Sequence, residues 1–529
     1  MMKGKKLVAL LLSLTLCASL LAACGGKSSS GSSASEVVVN KEGYPVVSEP
    51  LTMTVMGPDI GITKWDTMPF FKTMEEKTGI KLEFRNAPND SFETKRNLVL
   101  ASGDYPDIFF GGQFKSADEV NYGGQGVLLP LEELIDQYAP NIKKILDENP
   151  DIRKSITTPD GHIYTLPKID LNAVWYMGPL WYNGEFLQKL GYDKVPQTVD
   201  ELYTYLKRVK TEDPNGNGQA DEIPLTSTKL KDGVRMWLMS SFGLGLEDIY
   251  SDANDKVHYA FTADGYKDYL TFMNKLWNED LLDHETFSQT DEQKKAKGKN
   301  NQVGLIPDYY AYFSYGGEPS DKHPMYQPVA SSIDGTPVIP KHPGLAKGAF
   351  AISSSNPSPE ATIRWIDYLY STEGAELLAK GPEGTLWDYV NKDTHEKKWN
   401  EAPNGEDREE YRGKLTPDYG IVVPGIVNEE VNNGFTSDFD KWITQQNEEK
   451  ILPNAKVPFP SVYLSESDQQ RVSAIRSDLN TFVEQMEAKF ITGQEPLSNY
   501  DKYLETANKM GADEMVKIYQ AAYDQWKQN

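Results

Sequence analysis

The chain has 529 residues, a formal net charge of −24 and only two cysteines. A body this acidic is repelled by nucleic acid and by anionic membrane surfaces, so no nucleic-acid partner is expected. Two cysteines, one of them inside the N-terminal apolar run, exclude a disulfide-built scaffold and a cysteine-rich metal site.

In chain order the first element is an export signal. Lys3, Lys5 and Lys6 precede an apolar run from Leu7 to Leu21, and small residues follow at Ala22 and Ala23 before Cys24. The run is shorter than the roughly 20 apolar residues of a spanning helix and ends in a processing site, so 1–23 read as a signal peptide. Leu21-Ala22-Ala23-Cys24 followed by Gly25 matches a bacterial lipobox. Cys24 is then the acylated first residue of the mature chain, and the lipid bilayer holds it at the extracellular face of the cell membrane. Residues 24–49 form the lipid anchor and a Gly/Ser tether, in which Gly25 to Ala34, GGKSSSGSSA, has nothing large to pack.

The remaining length exceeds what one core supports and implies two lobes or more. Residues 51–56 alternate as a strand, 67–77 carry a helical apolar face closed by Gly79, and 80–84 alternate again. A helix over 91–102, closed by Gly103, leads to a strand over 107–110. The order β-α-β-α-β predicts a parallel sheet with crossover helices, whose ligands sit beyond the carboxyl ends of the strands. Further on, helices are predicted over 200–211, 265–279 and 468–490, and strands over 301–306 and 349–352. One helix is predicted over 359–380, with Ser358 as N-cap and Pro359 at its first position.

The sharpest local motif is DPNGNGQADE at 213–222. Oxygen donors at alternate positions with Gly at the sixth let a tight loop wrap a hard cation. Asp213, Asn215 and Asn217 would supply side-chain oxygens, Gln219 its carbonyl, and Asp221 and Glu222 carboxylates. The twelfth position is Pro224, so the bidentate Glu of an EF-hand is missing and Glu222 takes its place. The motif predicts structural calcium; the competing reading is an Asn/Gly turn with exposed acids.

Together with the lipobox, the segments Thr78-Gly79-Ile80-Lys81-Leu82, ASGDYPDI at 101–108, GVLLPL at 126–131 and ATIRWIDYLYSTEGAEL at 361–377 carry a resemblance. In order and spacing the chain resembles the extracellular solute-binding proteins of family 1. The likeness is to the large Gram-positive oligosaccharide-type lipoproteins of ABC importers. That resemblance implies an α/β fold of the type II periplasmic-binding-protein kind, with two lobes, each a mainly parallel sheet flanked by helices, hinge crossings and a ligand cleft. Mapped here, 50–167 plus 326–370 make the first lobe, and 168–325 plus 371–529 the second. It also implies a monomeric, non-enzymatic protein that captures a carbohydrate and delivers it to ABC transporter permease subunits.

A sugar offers hydroxyls at its rim and a weakly apolar CH face, so aromatic platforms and a few polar side chains are the expected lining. Sheet position and the resemblance select Asp59 and Trp65, Gly112 and Gln113, Trp175, Tyr176 and Trp181, Asp308, Tyr309 and Tyr310, and Trp387. Trp181 reads equally as core, and Tyr310 as packing within the second lobe. The six histidines make no metal-ligand spacing, and neither a G-x-S-x-G elbow nor a phosphate loop occurs. Paired carboxylates are plentiful, which keeps a lipid-anchored glycosidase or lyase open by residue type alone. A binder of peptides or other solutes on the same fold stays open too.

Overall fold

The computed structural model describes residues 38–246 and 248–528. The export signal, Cys24 and the tether as far as residue 37 lie outside the described residues. Nine strands carry the architecture: β1 Leu51–Met56, β2 Ile80–Phe84, β3 Ile108–Phe110, β4 Leu166–Asp170, β5 Leu180–Tyr182, β6 Ile223–Leu225, β7 Val303–Pro307, β8 Leu345–Ile352 and β9 Gly425–Val427.

Six of them form a sheet in the order β9-β4-β8-β3-β1-β2. β1 pairs parallel with β2 and β3, in register Leu51 to Ile80 and Val55 to Ile108. The alternation of the LTMTVM segment explains the placement, since Met53 and Val55 are fully buried between helices. Helices Pro69–Thr78 and Phe92–Ser102 supply the crossovers, and each stops at a glycine in the left-handed region, Gly79 (φ 77°) and Gly103 (φ 80°). The predicted β-α-β-α-β run is therefore present. β8 is antiparallel to both β3 and β4, whereas β4 and β9 pair parallel.

The smaller sheet has the order β5-β7-β6, with β7 parallel to β6 and antiparallel to β5. It is buried within a large apolar cluster that includes Trp181, Tyr205, Leu270 and Leu305, together with Val472, Ile475 and Leu479 of the helix Glu466–Ile491. Each such side chain contributes about 1.5–3 kcal/mol through burial, offset by the entropy of ordering the chain.

The chain passes from the larger sheet to the smaller at 171–179 and returns at 341–344. After β9 it enters the helix Asp438–Lys450, whose Ile443 lies in the smaller sheet's core. The first two crossings lie side by side: the Asp170 amide donates to the Gly344 carbonyl (2.8 Å) and the His342 amide to the Val174 carbonyl (3.1 Å). Gly344 (φ 65°) is required there, because a Cβ would stand 2.1 Å from the Asp170 carbonyl oxygen.

Three expectations need revision. The division expected at 326 and 371 is displaced at both points. Tyr326, Val329 and Ile339 pack in the smaller sheet's core. Residues 425–427 pair with β4 in the larger sheet, and Leu378 lies against Gly425. The helix expected over 359–380 is two α-helices, Pro359–Asp367 and Thr372–Lys380, separated by a 3₁₀ turn. Ser371 breaks it by accepting the Gly374 amide as a fresh N-cap, and Gly374 admits the Tyr368 carbonyl, which any Cβ would meet at 1.8 Å. Ser358 stands at the N-cap position of the first of these helices without a side-chain cap bond.

Candidate functional site

β7 ends at Pro307, and Asp308 turns the chain immediately beyond it. One carboxylate oxygen of Asp308 accepts the Tyr309 amide (2.8 Å), and the other accepts the Ser314 hydroxyl (2.6 Å) and lies 3.4 Å from Lys295 Nζ. Its carbonyl accepts the Trp181 indole N–H at 2.9 Å. With its side chain only 7% exposed, Asp308 is committed to shaping the turn rather than to facing solvent. The turn's product is Tyr309, which is 55% exposed, and next to it the half-buried ring of Tyr310.

Tyr310 is the centre of an aromatic surface. Its ring lies parallel to Tyr312 at 5.7 Å and edge-on to Phe313, Phe439 and Trp175 at 5.6, 5.5 and 6.4 Å. Trp175 donates its indole N–H to Asn447 Oδ1 at 2.8 Å. Tyr176 packs against the His342 ring at 5.1 Å, and burial pushes its hydroxyl up to about 12. Trp175, Tyr176, Tyr309 and Tyr310 thus lie at one end of the smaller sheet. Phe439, Trp442 and Asn447 of the helix Asp438–Lys450 were missed. Their only local signal is a helical aromatic pair, and what makes them part of this surface is contact with residues more than a hundred positions away.

Three indoles expected at the ligand are core residues. Trp65 is 3% exposed and sits among Phe71, Phe84 and Phe110 at 5.0–6.1 Å. Trp181 is fully buried. Trp387 is 3% exposed and donates to the Gly381 carbonyl at 2.8 Å. For Trp181 and Trp387 a backbone carbonyl satisfies the one polar atom of the ring, which lets the apolar remainder be buried at little polar cost.

At the carboxyl ends of the larger sheet the loops are tightly held. Asp59 follows β1 and accepts the Gly61 amide (2.7 Å). Gly112 is buried, its absent Cβ leaving room for the Phe114 ring, which a side chain would meet at 2.8 Å. Gln113 adopts φ 51° and donates from Nε2 to Asn89 Oδ1 at 3.0 Å. The fully buried Arg96 holds this loop by donating to the carbonyls of Gly112 and Gln113 while pairing with Asp118 at 2.8 Å. A partly exposed ion pair, Lys168 with Asp418 at 2.7 Å, stands on β4, which β8 separates from β3. The sequence singled out neither partner, because Asp418 is 250 positions away and carries no motif.

The 213–222 loop closes on itself. Asp213, with φ 48°, accepts the amides of Gly216, Asn217 and Gly218 at 3.0–3.2 Å. Asn215 Oδ1 accepts the Asn217 amide and Asn217 Oδ1 the Gln219 amide. Asp221 receives Asn215, Asn217 and Gln302 side-chain amides, each at 3.0 Å, and the first of these bonds is the main cause that holds its pKa below the usual carboxylate range. Glu222 is only 2% exposed, burial raises its pKa, and its Oε1 has no hydrogen-bond partner. An orphaned, buried carboxylate oxygen at the end of an oxygen-rich loop fits a hard cation. Among the described residues no group of three or more His, Cys, Asp or Glu is gathered as a metal site, so the three acids of this loop do not converge as one by themselves.

The sequence pattern of the bacterial extracellular solute-binding proteins matches residues 61–376. The chain is 28% identical over 536 positions to the fructooligosaccharide ABC transporter substrate-binding protein FusA of Streptococcus pneumoniae, covering 98% of this chain and 97% of that one. It is 23% identical to the polygalacturonan/rhamnogalacturonan-binding protein YtcQ of Bacillus subtilis, covering 86% and 88%. The solved structure of the S. pneumoniae FusA protein in complex with kestose matches with a TM-score of 0.67 at 27% identity, over 90% of this chain and 100% of that one. An extracellular solute-binding protein of Bifidobacterium longum subsp. infantis shares the fold, with a TM-score of 0.74 at 22% identity over 90% and 98% of the two chains. These relatives are binding proteins of the two-lobe fold, and the present chain belongs to the bacterial extracellular solute-binding protein family.

Proposed function

We propose that this protein captures an oligosaccharide at the aromatic surface beyond β7 and delivers it, chemically unchanged, to an ABC importer permease. The observation that carries the reading is the convergence of Trp175, Tyr309 and Tyr310, with Tyr309 more than half exposed. Flat rings cover the CH faces of sugar rings, while Gln113, Asp59 and the Lys168–Asp418 pair offer hydrogen bonds to hydroxyls from the other sheet. Several rings in one surface suit a chain of sugar units better than a single one. The relative that binds fructooligosaccharides, solved with kestose and with fructo-nystose, makes kestose and nystose the first probes.

Binding without catalysis is the reading that the relatives, which are binding proteins, support. Glycoside cleavage needs two carboxylates flanking the bond about 5–9.5 Å apart, and the two acids beside these rings are engaged elsewhere, Asp308 in the turn and Asp440 in the capping bonds of Ser437. The 213–222 loop would hold calcium through Asp213, Asn215, Asn217, the Gln219 carbonyl, Asp221 and Glu222, where the ion supplies charge neutralisation and rigidity. In this reading the mature chain is a monomer tethered through Cys24 to the outer face of the cell membrane. Calorimetric titration of residues 35–529 with kestose and nystose tests the reading: saturable binding supports it, and silence toward every saccharide in a broad panel removes it.

A further inference from the structure

We infer that Asn447 is a positioning residue for the ligand platform: from the helix Asp438–Lys450 it sets the rotation of the Trp175 indole that the ligand meets. The inference rests on the oligosaccharide reading for its binding consequence, but not for its geometry.

Trp175 lies in the 171–179 crossing, which has no regular secondary structure between β4 and β5. No strand ladder therefore fixes its backbone. Its indole has one polar atom, and that atom donates to Asn447 Oδ1 at 2.8 Å, across 272 positions of sequence. Because an indole is planar and its N–H points along one edge, a single acceptor fixes which face the ring shows. Its other contacts are apolar: Tyr310 meets it edge-on at 6.4 Å, and the ring packs against the smaller sheet's core, contacts that carry no directional bond.

The helix bearing Asn447 is itself well anchored. Ser437 and Asp440 form a reciprocal capping box at its start. Phe439, Trp442, Ile443 and Asn447 recur at helical spacing, so they share one face. On that face Phe439 packs on Tyr310 and Tyr312 at 5.5 and 5.7 Å, and Trp442 packs on Trp181 at 6.2 Å. One rigid element thus backs the Tyr310 ring through carbon contacts and aims the Trp175 ring through one hydrogen bond. The helix follows the third crossing, whereas Trp175 lies on the first, so the bond also ties two crossings together.

The test uses the exported chain with kestose and nystose as probes and needs four proteins: wild type, Trp175→Phe, Asn447→Ala and Asn447→Asp. The near-ultraviolet dichroism and the indole Raman band of Trp175, assigned by difference from Trp175→Phe, are read before any ligand is added. Asn447→Ala is expected to move the Trp175 band and to weaken nystose binding about tenfold at an unchanged melting temperature. Asn447→Asp keeps an acceptor oxygen and is expected to restore both. An Asn447→Ala protein with an unmoved Trp175 band overturns the inference, as does one whose affinity falls only in step with its melting temperature and is not rescued by Asp. If the wild type binds no saccharide at all, the oligosaccharide reading fails, while the unliganded band still decides whether Asn447 orients the ring.

Discussion

Three indoles of this chain differ in where their one donor atom goes. Trp181 and Trp387 give their N–H to backbone carbonyls and disappear into cores, whereas Trp175 gives its own to a side chain and remains partly accessible. Sequence reading placed all three at the ligand because they share composition and lie near predicted strand ends; the acceptor that separates them is supplied by distant chain. The contrast is measurable. Trp175→Ala should weaken nystose binding about tenfold, roughly 1.4 kcal/mol, and leave the melting temperature nearly unchanged. Trp181→Ala should cost about 3–5 kcal/mol of folding stability, read from denaturant unfolding. His323 makes a second residue-scale prediction. It is 8% exposed, stacks on Tyr315 at 4.4 Å, accepts the Gly184 amide at 3.2 Å, and burial lowers its pKa to about 4. The unfolded chain takes up this proton near pH 6.5 and the folded chain only near 4. Stability from this group is therefore complete above pH 6.5 and is lost as pH falls toward 4, by roughly 3 kcal/mol. Unfolding curves between pH 7 and 4 should show that slope, and His323→Asn should flatten it.

At the scale of elements, what was legible was what local chemistry determines. The alternation of 51–56 and 80–84 and the glycines that stop the two crossover helices gave the first β-α-β-α-β unit almost residue for residue. β9, three residues long, has no periodicity to read and acquires its identity only by pairing with β4. The break at Ser371 lost to a stronger apolar pattern running through it, although the cap and Gly374 were both present in the sequence. The 213–222 loop was readable because its donors lie within ten residues. The proposed calcium site is tested by adding the ion and then a chelator. Calcium at a hundred times its dissociation constant should stabilise the folded state by about 2.7 kcal/mol, visible as a raised melting temperature that a chelator reverses. Glu222→Gln should abolish most of that increment while leaving the chelated protein near wild type, since the buried Oε1 has no partner to lose. A Glu222→Gln protein with an undiminished calcium response would place the ion elsewhere.

For the whole molecule, two sheets joined by three crossings turn a distribution of aromatics into a function. The larger sheet presents short polar loops pinned by Arg96 and by Asx-type turns, and the smaller presents rings backed by a rigid helix. Lobe membership in the second half of the chain was the least legible feature, because 326–340 and 425–427 change partners through pairings that no local pattern announces. The proposed binding surface was half legible: the loop after β7 follows from strand position, but its backing helix follows only from tertiary contact. The measurement that bears most directly on capture without catalysis is a calorimetric titration of residues 35–529 with nystose in calcium, followed by chromatographic recovery of the sugar. One site per chain, a raised melting temperature and nystose recovered intact are the predicted result. Recovery of cleaved fragments would make the protein an enzyme, and binding of peptides with no response to any saccharide would contradict the account at its centre.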